Sequence, residues 1–129
     1  SGKTHLIIWK ESWAMLKQNP ILGAGLAGYQ KALTPYHQAK QIEIYLYPHN
    51  IFLNFWSETG LLGLLAFLWL VGIFFYRSYG SYRSYPALAA MAVTIIHGLV
   101  DVPYFKNDLS VFFWILMALA LTSRKSNES

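Results

Sequence analysis

The chain has 129 residues, 55% of them hydrophobic and 12% charged, and the apolar excess after His49 does not fit a soluble domain. The absence of cysteine excludes disulfides and thiolate metal sites, and the net charge of +4 comes with no basic recognition motif that would point to nucleic acid. Ser1 is not a natural initiator and no signal peptide precedes the apolar part, so the expectation is the C-terminal portion of a longer protein.

In chain order, the first element is an amphipathic helix over about 4–18. Leu6, Trp9, Trp13 and Leu16, with Lys17, follow helical spacing, and Lys10, Glu11 and Gln18 fall off that stripe. Asn19-Pro20 stops it, because proline disfavours helical geometry in the residue before it. Ile21 to Tyr29 is a glycine-punctuated turn, and Gln30 to Tyr47 is an irregular polar loop with Pro35 inside it. Three apolar helices follow, at about 49–77, 86–102 and 107–122, with Pro48 and Pro86 near the starts of the first two. The third is short for a bilayer.

This predicts an all-α integral membrane fold, with an amphipathic outer helix and an irregular outer loop over 1–48, three transmembrane helices over 49–123, and a tail over 124–129. Arg77 and Arg83 in the link over 77–85, and Arg124 and Lys125 in the tail, place link and tail in the cytoplasm. Residues 1–50 and the turn at Pro103 and Lys106 then lie outside, and Tyr76, Tyr79, Tyr82 and Tyr85 suit the interfacial belt. The outer segment carries five lysines (Lys3, Lys10, Lys17, Lys31, Lys40) against Glu11 and Glu43, a charge of +3 that fits an anionic partner or anionic headgroups.

His49 is the leading candidate for chemistry. It stands at the outer end of a membrane helix, where free N–H groups and the helix dipole favour bound anions. An imidazole there can take a proton from a sugar hydroxyl, or it can simply cap the helix together with Asn50. His97 and Asp101 are four apart on the second helix and share a face. His97 reads as a packing or hydrogen-bonding residue, and Asp101 as either that or the partner of a basic ligand group. Glu58 reads as a packing or hydrogen-bonding residue, and Tyr36-His37 as a solvated pair or a sugar contact. Gly60, Gly63 and Gly72 read as sites of close helix approach.

The stretch Pro48-His49-Asn50-Ile51-Phe52-Leu53-Asn54-Phe55-Trp56-Ser57-Glu58-Thr59-Gly60-Leu61-Leu62-Gly63 resembles the signature of the O-antigen ligase and O-antigen polymerase superfamily. His49, Asn50, Gly60 and Gly63 fit it without a gap. Trp9, Met15, Asn19-Pro20 and Gly23-Ala24-Gly25 resemble the opening of the same module, and Asp101 with the closing aromatic helix also fits. The resemblance implies part of a GT-C-like helical bundle and a metal-independent membrane glycosyltransferase that needs no cofactor. Such an enzyme moves a glycan from an undecaprenyl-diphosphate donor to a lipid, glycan or protein acceptor at the outer face of the bacterial cytoplasmic membrane. It implies His49 as the catalytic base and His5, Lys3, Asn50 and Asp101 as residues that hold the diphosphate or glycan. In one position the chain departs from the family, with His5 four residues before Trp9 where an arginine is usual. Histidine lacks the guanidinium fork, so Lys3 or a changed geometry would have to serve. Two readings from other classes are a transporter or channel fragment with His97 and Asp101 on an ion path, which predicts broken helices, and a non-catalytic membrane assembly module.

Overall fold

The computed structural model describes residues 2–38, 41–80, 84–101 and 107–122. Among these, all regular structure is helical: α1 (Gly2–Gln18), α2 (Tyr29–Leu33) running into a 3₁₀ turn (Thr34–Tyr36), α3 (Ile51–Ser78), α4 (Tyr85–His97) and α5 (Asn107–Thr122). Lys40, Tyr82, Arg83, Pro103, Lys106, Arg124 and Lys125, which enter the charge and orientation arguments, lie outside the described residues. Helix α4 ends several residues before the expected 102. Its C-cap is Gly98, whose N–H returns to the Thr94 carbonyl at 2.9 Å and whose own carbonyl is drawn to the start of α3.

The helices enclose two apolar cores. Ile51, Phe67 and Phe74 of α3 meet Ala87 and Met91 of α4 and Phe113, Leu116 and Met117 of α5, with Phe55 stacked on Phe67 at 4.2 Å between centroids. A smaller core in the outer segment joins Met15 and Leu16 of α1 to Tyr29 and Leu33 of α2.

One described helix, α3, is long and apolar enough to cross a membrane, with a mean hydropathy of 2.1. Only 17% of its apolar window is buried, whereas the core helix of a soluble protein would be mostly covered. Helices α4 and α5 are apolar but shorter; at 13 residues α4 extends about 20 Å, against about 30 Å of hydrocarbon.

The inward face of α1 differs from the expected stripe. Leu6 is 63% and Trp13 47% exposed, and the buried positions are Ile8, Glu11, Ser12, Met15 and Leu16. The polar members of that face are satisfied, which is why they can be there. Ser12 donates to the Ile8 carbonyl at 2.7 Å, so the Tyr29 hydroxyl, 2.6 Å away, donates to Ser12. Burial pushes the Tyr29 hydroxyl up to about 12, helped by the charge of Glu11. Glu11 in turn accepts from the Gln38 N–H and pairs with His37 Nδ1, both at 2.9 Å, while His37 Nε2 lies 2.8 Å from the Ile42 carbonyl. His37 is thus part of the outer core rather than a solvated loop residue.

Helix α3 is broken at Gly60, where φ is 72° and ψ −175°. In a regular helix the Leu61 N–H would donate to the Ser57 carbonyl. Here Leu61 donates to the Ile21 carbonyl at 2.9 Å, and Ser57 accepts instead from Ala24 (2.7 Å) and Gly25 (3.1 Å). The Trp56 indole donates to the Pro20 carbonyl and the Ala27 N–H to Glu58, both at 2.6 Å. The glycine turn therefore plugs the break. A Cβ on Gly60 would run into the Ile21 carbonyl, and one on Gly23 into the Trp56 and Ser57 carbonyls. Gly60 is needed for its positive φ and for the turn's approach, not for helix–helix contact, and a Cβ on Gly72 would meet nothing within 4 Å.

Gly60→Ala is expected to destabilise the protein by about 2 kcal/mol or more, since it combines a left-handed φ with a backbone clash. Gly72→Ala is expected to be neutral or to stabilise by up to about 1 kcal/mol. Thermal unfolding of both variants in one detergent checks the pair; equal melting temperatures would contradict it.

Candidate functional site

Residues 48–51 are held by three separate segments. The buried Pro48 offers its carbonyl to the Trp9 indole of α1 at 3.0 Å. Asn50 is the N-cap of α3, its Oδ1 accepting from the Phe52 and Leu53 N–H groups at 3.1 Å each. Its amide nitrogen donates to the Leu99 carbonyl at 3.1 Å, and the Ile51 N–H donates to the Gly98 carbonyl at 2.7 Å. The helix N-terminus that the sequence offers to an anion is therefore capped from within the chain, by Asn50 and by the segment after α4.

Between these anchors His49 takes a left-handed backbone conformation, φ 49°. That is uncommon for a residue with a side chain and costs about 1 kcal/mol, so it persists only because its neighbours over-determine it. The conformation turns the imidazole into a cavity of about 430 Å³. The cavity walls come from α1 (His5), the loop before α3 (Tyr45, Tyr47) and the end of α4 (His97, Asp101).

Aromatic rings surround His49, with Tyr47 at 4.7 Å, Tyr45 at 5.1 Å and His5 at 5.6 Å between ring centroids. Asp101 faces two imidazoles: its Oδ1 is 3.6 Å from His49 Nδ1 and its Oδ2 is 3.7 Å from His97 Nε2. These are ion-pair distances, longer than hydrogen bonds. A carboxylate opposite Nδ1 favours the tautomer with its proton there and leaves Nε2 as the proton acceptor, the arrangement of a general base. The His5 Nδ1 is shielded from solvent and has no hydrogen-bond partner, while the His5 ring forms part of the cavity wall.

Of the candidates from the sequence, His49, His5 and Asp101 thus lie around one cavity. Asn50 acts there through the cap that fixes its neighbour, and Lys3 is exposed and outside the lining. Tyr45 and Tyr47 also line the cavity, and a reading of residues 30–47 as an irregular loop gives them no signal, because it is the bends before α3 that bring them to His49. No cluster of metal-binding residues occurs among the described residues. A second cavity of about 410 Å³ lies between α1 and the 3₁₀ turn, lined by Lys10, Glu11, Tyr36 and Gln38 among others.

Asn50→Ala is expected to lower stability by about 1–2 kcal/mol through loss of the cap, and Asn50→Asp, which keeps the acceptor oxygen, by clearly less. Denaturant unfolding of the two variants measures the difference.

No curated protein and no solved structure matches the chain. The model of the family described as O-antigen ligase matches residues 1–68, which span α1, the glycine turn, His49 and the first part of α3. The chain belongs to the O-antigen ligase family, membrane proteins of surface-glycan biosynthesis with lipid-linked glycan substrates.

Proposed function

We propose that this protein transfers a glycan from an undecaprenyl-diphosphate carrier to an acceptor hydroxyl at the outer face of the bacterial cytoplasmic membrane. The observation that carries the reading is His49 set between Asp101 and His5 in one cavity, within the segment that matches the family. His49 takes the acceptor's proton while the acceptor oxygen attacks the anomeric carbon. The bond from that carbon to the diphosphate breaks, and the carrier diphosphate leaves with the electron pair. Asp101 holds the imidazole in the required tautomer and stabilises it once charged. His5 lines the donor side of the cavity, with Lys3 as a nearby positive charge and Asn50 fixing the backbone beside the base. The acceptor is a lipid, a glycan repeat or a protein.

In this reading α3, α4 and α5 are the membrane helices and residues 1–50 lie outside. The transporter reading gains a broken helix at Gly60. The same break argues against it, since the Ser57 carbonyl and the Leu61 N–H, the groups that could meet an ion, are taken by the glycine turn.

His49→Ala is expected to reduce surface-glycan transfer by about two to four orders of magnitude while the protein still reaches the membrane. Unchanged turnover of the undecaprenyl-diphosphate glycan would remove His49 as the base. His5→Arg is expected to lower KM for the lipid-linked donor, because a guanidinium fork binds a diphosphate better than one imidazole nitrogen. An unchanged KM would move the donor's anion away from position 5.

A further inference from the structure

We propose that the glycine turn between α1 and α2 is a membrane-inserted element, its apolar tip of Ile21, Leu22 and Leu26 seated in the outer leaflet beside α3. Sequence order alone assigns this turn to the aqueous loop. Its side chains do not suit that place, because Ile21 is 65% exposed and Leu22 and Leu26 are each 79% exposed.

The turn's depth follows from its hydrogen bonds. Leu61 donates to Ile21, and Ser57 accepts from Ala24 and Gly25, so the tip is level with residues 57–61 of α3. Leu61 is where the apolar part of α3 begins, and Leu62 (74%) and Leu65 (52%) just beyond it are exposed as well. Trp13 and Trp56, packed edge to face at 5.3 Å, sit beside this level, as aromatic residues do at a membrane interface. The exposed Lys17 and the Glu58 carboxylate, which holds the Ala27 N–H, mark the headgroup zone.

Irregular backbone can enter a bilayer only if its polar groups are paired within the protein. Much of this turn's backbone meets that condition. Gly23 donates to Asn19, Ala24 and Gly25 to Ser57, Ala27 to Glu58, and Gly28 to Gly25. The Pro20 and Ile21 carbonyls accept from Trp56 and Leu61. A turn held in water would not need such pairing, since solvent would supply it. The inference depends on α3 crossing the membrane and not on the glycan-transfer reading.

This chain contains no cysteine, so single cysteines are introduced for spin-labelling in a full-length background in which any cysteine elsewhere is replaced by serine. Labels at Leu22→Cys and Leu26→Cys would be read in the full-length protein reconstituted in liposomes, with Leu68→Cys as the reference within α3 and Lys10→Cys as the aqueous one. Accessibility to oxygen, which concentrates in the bilayer, and to a water-soluble nickel chelate reports depth. The expected result is oxygen-dominated accessibility at positions 22 and 26, shallower than at 68 and opposite to that at 10. Chelate accessibility at 22 and 26 equal to that at 10 would overturn the proposal, placing the turn in water. Protection from both reagents would overturn it too, by showing that another protein segment covers the tip. An aqueous reading at 68 would refute the membrane span beneath it, whatever the enzyme does.

Discussion

The break in α3 and the turn that fills it organise the rest of the molecule. The helical hydrogen bond from Leu61 to Ser57 is given up at Gly60, and the two groups it frees are taken by the glycine turn, with Ser57 gaining two donors and Leu61 a new acceptor. These contacts act against the strain of the positive φ locally. The consequence is longer in range. Tying residues 20–27 to residues 56–61 fixes where α1 ends and α2 begins, and so docks the outer core on α3. Trp9 can then reach Pro48 from the far end of α1. His5, one turn before Trp9, is carried to the ring of His49 by the same docking.

A second clamp works from the opposite side. Helix α4 stops at Gly98, and the Gly98 and Leu99 carbonyls meet the Ile51 N–H and the Asn50 amide. A Cβ at Gly98 would press on the Ile51 side chain, so the close approach relies on the smallest residue. The turn after Gly98 keeps a near-helical bond from the Asp101 N–H to the His97 carbonyl, and so His97 and Asp101 still meet although the helix has ended. The i, i+4 relation is thus kept by a turn rather than by a helix.

The order of the four long helices and most of their limits were legible, because they rest on local signals: Pro20, Pro48 and Pro86 at boundaries and continuous apolar runs between them; α2 and its 3₁₀ turn, by contrast, fall in the stretch read as an irregular loop. Hydrophobic spacing failed on α1, where Glu11 and Ser12 face inward. A pattern of apolar residues cannot register a polar residue whose partners, His37 and Tyr29, stand far along the chain. The break at Gly60 was hidden for a related reason, since a glycine in an apolar run carries no mark of the carbonyl that will approach it. At the candidate site, His49, His5 and Asp101 could be named singly, but not the cavity that joins them. Its walls come from α1, the loop before α3 and the end of α4. The cap was the subtler miss: an anion site at a helix start requires free N–H groups, and the asparagine that follows the histidine takes two of them.

That last point bears on how the site can hold a substrate. With the start of α3 already capped, the positive end of the helix acts on a ligand only through its field, and direct donors must come from side chains. Around the cavity those are imidazoles and tyrosine hydroxyls, with Asp101 as the carboxylate between His49 and His97. In the proposed reaction a negative diphosphate would be placed away from Asp101, on the His5 side. An acceptor hydroxyl would enter on the side open to Nε2 of His49. In that proposal the carboxylate would divide the cavity, repelling the donor's charge and holding the imidazole of His49. The left-handed backbone at His49, fixed on both flanks, keeps that division in one geometry rather than an average of several.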